Sequence, residues 1–176
     1  MDGESCIRKA YEYIWNNDFE EAIHWFERAI AAEPDNAGYY HKCAVSCARS
    51  GKWAKAKVYA EAAERLEPHN EEFRYHAQLI QSRLLLAEAE GHLALSPPNL
   101  HEAEPLLRQA IHLDPLSFDC YYTLAMVQAL EGRLDEAADN AREAIRLNPQ
   151  HSAARRLFAD VNRKRRMLRI RSTTKR

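Results

Sequence analysis

The chain has 176 residues, enough for one ordinary domain or one short repeat array, and is 46% hydrophobic and 29% charged. No segment stays apolar for eighteen residues and the acidic start MDGESCIRKAYEY lacks the apolar run of a signal peptide, so a cytoplasmic protein without a membrane span is expected. The net charge of −1 hides an asymmetry: residues 1–150 hold 15 Lys or Arg against 25 Asp or Glu, whereas residues 151–176 hold 10 against a single acid, Asp160.

In chain order, the apolar periodicity predicts helices over residues 3–16 and 18–32, with Asn17 or Asp18 capping the second. A second pair follows at 37–50 and 52–66, broken at Gly51. The next stretch, Glu71 to Leu95, has no proline and one glycine, Gly91. It reads either as one long helix of about 37 Å, or as two with a break near Leu86. Ser96, Pro97, Pro98 and Asn99 then break the chain before another helix. A final pair spans 118–131 and 133–147 around Gly132, and residues 151–168 form a closing helix with Ala154, Leu157, Phe158 and Val161 inward.

Four prolines close similar phrases: AIAAEPDN at Pro34, AERLEPHN at Pro68, AIHLDPLS at Pro115 and AIRLNPQH at Pro149, spaced 34, 47 and 34 residues apart. Proline ends each helix because it has no N–H for an interior turn. Twelve residues before each proline stands an alanine (Ala22, Ala56, Ala103, Ala137), and five before each stands another (Ala29, Ala63, Ala110, Ala144). Phe26, Ala60, Leu107 and Ala141 fill the stripe between them. A small residue recurring at one register marks helices that touch closely. The chain is thus four helix-turn-helix units, about 3–36, 37–70, 71–117 and 118–151, the third carrying a 13-residue insertion. In the one-helix reading the third unit projects by about 20 Å. Its leucines, Leu84, Leu85, Leu86, Leu93 and Leu95, must then pack on the following helix or on a second copy, so self-association through residues 84–95 is one expectation.

Catalytic chemistry is poorly represented. The eight histidines are scattered, the acid pairs Glu20–Glu21 and Glu102–Glu104 sit at surface positions, and no phosphate loop or nucleophile elbow is present. Cys43 and Cys47 with His41 are one conceivable metal set; the plainer reading is buried free thiols, as for Cys6 and Cys120. No enzyme, cofactor or metal is expected.

The period and these registers resemble the tetratricopeptide repeat family. Tyr40, Cys43, Ala44, Cys47, Gly51, Trp53 and Ala56 carry the match in the second unit, and Tyr121, Leu124, Ala125, Gln128, Gly132, Leu134 and Ala137 carry it in the fourth. The resemblance implies an all-α superhelix over residues 3–168, in which the first helix of each unit lines a groove that holds a peptide or helix of another protein. Carried onto this sequence, the groove residues are Ile7, Tyr11, Lys42, Val45, Arg49, Tyr75, Leu79, Arg83, Tyr122 and Met126, with Arg8, His41, His76 and Thr123 beside them. Tyr121 is then a core residue, Tyr122 a groove residue, and Arg49 and Arg83 the partners of acids on the ligand. The family's clamp for chaperone C-termini falls on Ile7, Tyr11, Lys42, Glu72 and His76. Only Lys42 fits, and Glu72 repels a carboxylate, so chaperone-tail binding is not expected.

Residues 169–176 form a basic tail continuous with Arg163, Lys164, Arg165 and Arg166, and including Arg169, Arg171, Lys175 and Arg176. It continues the closing helix and becomes disordered from about Arg171. An acidic protein surface, an anionic membrane and nucleic acid are the partners such a charge run admits, against a solvated end that merely closes the array. The expected function is that of a non-enzymatic scaffold for another protein or peptide, with an adaptor acting through the tail as the alternative.

Overall fold

The computed structural model describes residues 2–173, with side chains through Ile170. The described residues form nine α-helices and no strand: α1 Gly3–Trp15, α2 Phe19–Ala32, α3 Ala37–Arg49, α4 Trp53–Leu66, α5 Glu71–Leu93, α6 Leu100–Leu113, α7 Phe118–Leu130, α8 Leu134–Leu147 and α9 Ser152–Thr173. They divide into two units, Met1–Leu84 and Leu85–Arg176. The fold is all-α and built of helix-turn-helix repeats.

Each helix start and stop has a local cause. Asp2, Asp18 and Asn99 accept from the backbone N–H of Ser5, Glu21 and Glu102 at 2.8, 3.1 and 3.3 Å, satisfying a donor that the first turn leaves without a partner. Within three of the pairs, one residue takes a left-handed conformation: Asn17 at φ 59°, Gly51 at 73° and Gly132 at 79°. Glycine and asparagine occupy that region at least cost. The next residue then donates back into the finished helix: Asp18 to the Tyr13 carbonyl, Lys52 to Cys47 and Arg133 to Gln128, at 2.8–2.9 Å. After each of the four prolines the same turn recurs. Asn36, Asn70, Ser117 and His151 donate to the carbonyls of Glu33, Glu67, Asp114 and Asn148 at 3.1–3.2 Å.

The eight periodic alanines are all fully buried, as are Leu107 and Ala141, with Phe26 and Ala60 nearly so. In the first unit Ala22, Phe26, Cys43, Ala44, Cys47, Ala56 and Ala60 share one cluster. Cys43 and Cys47 are therefore core thiols; their mutual hydrogen bond and burial push the Cys43 thiol up. No group of three or more His, Cys, Asp or Glu able to hold a metal occurs among the described residues. In the second unit Ala137 and Ala138 pack on Val161, with Leu157 and Phe158 of α9 alongside. Ala137→Leu should overpack this contact and cost about 1–3 kcal/mol, read as a lowered urea midpoint; a neutral change would mean the α8–α9 contact has slack.

Two expectations need correction. The stretch 71–95 is one helix, but it ends at Leu93, and of the two fates expected for its leucines the packing on the following helix is the one found. Its first part carries Phe73, packed with Ala37 and Ala63, and Ile80, packed in the first unit's main cluster. Its last part carries Leu85, Leu86 and Ala89, which bury against Ala103, Leu107 and Ala110 of α6 and Leu124 of α7. The insertion thus lets one helix close the first unit and open the next pair. Self-association through residues 84–95 loses its basis, because only Leu95 of that leucine set is exposed. The second correction concerns α9. It was expected to close at 168 and lose order from about Arg171, yet the helix runs through Thr173. The side chain of Arg171 and all of Lys175 and Arg176 lie outside the described residues.

Candidate functional site

The first unit contains a cavity of about 490 Å³ between its first helices. Tyr11 and Ile14 come from α1, and Gly38, His41, Lys42, Val45, Ser46 and Arg49 from α3. Glu72, Phe73 and His76 of α5 form the third wall, with Phe26 of α2 behind. The spacing 38, 41, 42, 45, 49 is one face of α3, since residues three and four apart stack along a helix. Tyr11 meets Phe26 edge-on with ring centroids 5.9 Å apart. His41 stacks on Phe73 at 4.7 Å and lies 4.6 Å from His76.

The charges in this cavity are unevenly matched. His41 Nε2 lies 3.5 Å from Glu72. Burial and the neighbouring His76 nevertheless hold the His41 imidazole below its ordinary pKa, outweighing the pull of Glu72. Lys42 Nζ reaches only the Gly38 carbonyl, at 3.5 Å. Neither Lys42 nor Arg49 forms an ion pair among the described residues. Two cations therefore face an apolar, aromatic hollow without an acid of their own.

Of the residues expected to line a groove, Tyr11, Lys42, Val45 and Arg49 line this cavity, with His41 and His76. Ile7 is half-buried and packs against the core cluster behind them. Tyr75 is exposed and Leu79 half-buried on α5, and neither lines the cavity. Arg83 instead lays its guanidinium 5.8 Å from the Trp53 ring centroid. Tyr122 and Met126 belong to the second unit and are half-buried there. Tyr122 stacks on Phe118 at 5.8 Å and 9°, with His151 at 5.3 Å; His151 Nδ1 also accepts from the Ala154 N–H that opens α9. Thr123, expected in the groove, is buried instead. Tyr121 is half-buried rather than a full core residue, and burial raises its phenol pKa.

Phe73, Phe26, Ile14 and Ser46 were not among the expected lining residues. Phe73 had a legible signal, since it stands one helical turn before His76. Glu104 was expected on the surface, yet it is half-buried and bridges Arg133 at 2.5 Å and Arg108 at 2.8 Å. The hydrogen bond from Arg133 holds its carboxyl below the usual range. Arg133 also pairs with Glu131 and with Glu136 at 3.2 Å, and Arg108 with Glu136 at 3.1 Å. This charge network is saturated, so it braces α6 against the α7–α8 turn and leaves little charge for a ligand.

Comparison with known proteins follows the same lines. A tetratricopeptide repeat family model matches residues 3–36 and another matches residues 88–152, together more than half of the chain. The second match opens within the last part of α5. No curated protein matches the chain. Among solved structures, a MamA from strain AMB-1 is similar with a TM-score of 0.54 at 17% identity, over 92% of this chain and 81% of that one. YrrB, a tetratricopeptide repeat protein described as having an unusual peptide-binding site, gives 0.50 at 20% identity, over 92% and 76%. MamA from Desulfovibrio magneticus RS-1 gives 0.51 at 14% identity, over 94% and 96%. At these identities the likeness is one of fold.

Proposed function

Because the chain belongs to the tetratricopeptide repeat family, we propose that it is a non-enzymatic scaffold that seats a segment of another protein in the cavity of its first unit. The observation that carries this reading is the pair Lys42 and Arg49, neither of them in an ion pair, beside the rings of Tyr11 and Phe73; the one acid of the cavity, Glu72, lies against His41, so the two cations outnumber it. An ionised carboxylate on the partner would meet the half-buried Lys42, with the exposed Arg49 on the same face of α3, and charge-assisted hydrogen bonds are the stronger kind. An apolar side chain next to it would fill the hollow between Tyr11, Val45 and Phe73. Buried aromatic and arginine contacts are where binding energy concentrates. Tyr75, Leu79, Tyr122 and Met126 are set outside this seat.

The reading is tested with a displayed peptide library selected on the intact protein and on Lys42→Glu/Arg49→Glu. Selection on the wild type should enrich Asp or Glu beside a large apolar residue. The selected peptides should bind the double variant roughly thirtyfold or more weakly, the effect of losing a hot spot of about 2 kcal/mol. Peptides without acid enrichment, or with equal affinity for both proteins, would sink it. The variant should fold normally, since Arg49 is exposed and Lys42 half-buried.

A further inference from the structure

The cavity of the first unit holds two imidazoles that the peptide seat leaves unused. His41 of α3 and His76 of α5 both line it, both are half-buried, and their ring centroids lie 4.6 Å apart. His41 is also held flat against Phe73, at 4.7 Å. The other charged or titratable groups that line the cavity are Lys42 and Arg49 of α3, Glu72 of α5 and the Tyr11 phenol of α1; α2 contributes only Phe26, and α4 nothing. Burial acts first against a charge on His41, and the His76 ring and Lys42 act in the same direction. Glu72, 3.5 Å away, acts the other way and is outweighed. His41 is therefore neutral at pH 7. A carboxylate that docks on Lys42 reverses this balance. It cancels the cation beside His41 and brings a negative charge into the same cavity as both rings, which favours a charged imidazole. A second proton does not follow the first, because two imidazolium rings at this separation repel.

We infer that His41 and His76 act as one proton-accepting unit of the seat: an acidic segment draws a proton onto the pair as it binds, so the cavity holds its partner more tightly as the pH falls. This rests on the peptide-seat reading and adds the regulation of that site. The sign follows from linkage, since a ligand that favours the protonated pair is itself favoured by protonation. The bound carboxylate raises the pKa of the pair above its value in the free protein. The added affinity is therefore complete below the pKa of the free protein and is lost as the pH rises through that of the complex. Imidazoles change charge between about pH 5 and 8, whereas Asp and Glu of the partner stay largely ionised above about pH 5. The remaining six of the eight histidines line no part of this cavity, so within it that window belongs to His41 and His76.

The probe is the tightest Asp- or Glu-bearing peptide from the display selection, titrated calorimetrically into the full chain. From pH 8 to pH 5.5 its affinity should rise roughly tenfold, the effect of raising the pKa of the pair by about one. At pH 6.5 the apparent binding enthalpy should vary with the ionisation enthalpy of the buffer, its slope reporting uptake of up to about one proton per peptide. The same peptide with its acid replaced by the amide should lose both the rise and the uptake. His41→Phe/His76→Gln keeps a ring on Phe73 but cannot take the proton, and it should lose both as well, whatever its affinity at pH 8. If circular dichroism shows that variant misfolded, proton uptake by the wild type and its loss with the amide peptide still decide. An affinity that is flat from pH 8 to pH 5.5, or a proton uptake that the double variant or the amide peptide retains, overturns the inference and leaves the seat standing. Peptide binding that Lys42→Glu/Arg49→Glu leaves unchanged fells the seat itself, and this inference with it.

Discussion

Phe26→Ala should destabilise the protein by about 3–5 kcal/mol, the range for deleting a buried aromatic ring. Phe26 is 1% exposed and sits among Ala22, Cys43, Ala44, Cys47 and Ala60. The same ring backs the cavity and receives the edge of Tyr11. A partner bound there should therefore be weakened as well, through a loosened Tyr11 and not through a lost contact of its own. Urea unfolding checks the first effect: the midpoint should fall with little change in slope. A loss below about 1 kcal/mol would mean that Phe26 is not the keystone of the first unit.

The repeat architecture was legible because its markers are backbone and steric requirements, which local sequence states directly. Ala22 and Ala137 are alanine because a neighbouring helix stands where a larger side chain would go. Gly51 and Gly132 are glycine because the chain turns left-handed there, and Asn17 does the same duty in the first pair. Four prolines set four identical turns. Together these fix helix order and inward faces without knowledge of any long-range contact.

The site was only half legible. Lys42, Val45 and Arg49 follow from the register of α3 alone, but Phe26 enters the cavity from a second helix of a pair. Its role there depends on the edge contact of its ring with Tyr11, which no periodicity records. Arg83 has the right register and the wrong neighbour, since Trp53 offers its guanidinium a ring face. Glu104 reads as a surface acid until Arg133, 29 positions away, folds over it. Charges paired across helices are invisible to spacing within one helix. The α5 leucines left two readings open for a related reason: a helix that serves two cores in succession presents two apolar faces, and in one dimension that looks like excess hydrophobicity at one end.

Leu86→Ala separates those two descriptions of α5. Leu86 is 1% exposed and packs with Ala89, Ala103, Leu107 and Leu124, so its truncation should cost about 2–5 kcal/mol. Leu95→Ala, at a side chain 53% exposed, should stay within about 0.5 kcal/mol. The damage from Leu86→Ala should be read as faster amide exchange in α6 and α7, the helices that share its cluster. On a projecting arm the outcome would invert. Leu86→Ala would leave unfolding and exchange unchanged and would instead shift the sedimentation of a self-associating species. Burial of the Leu86 side chain inside its own chain requires the first result, because a leucine enclosed by α6 and α7 has no surface left to offer a second copy.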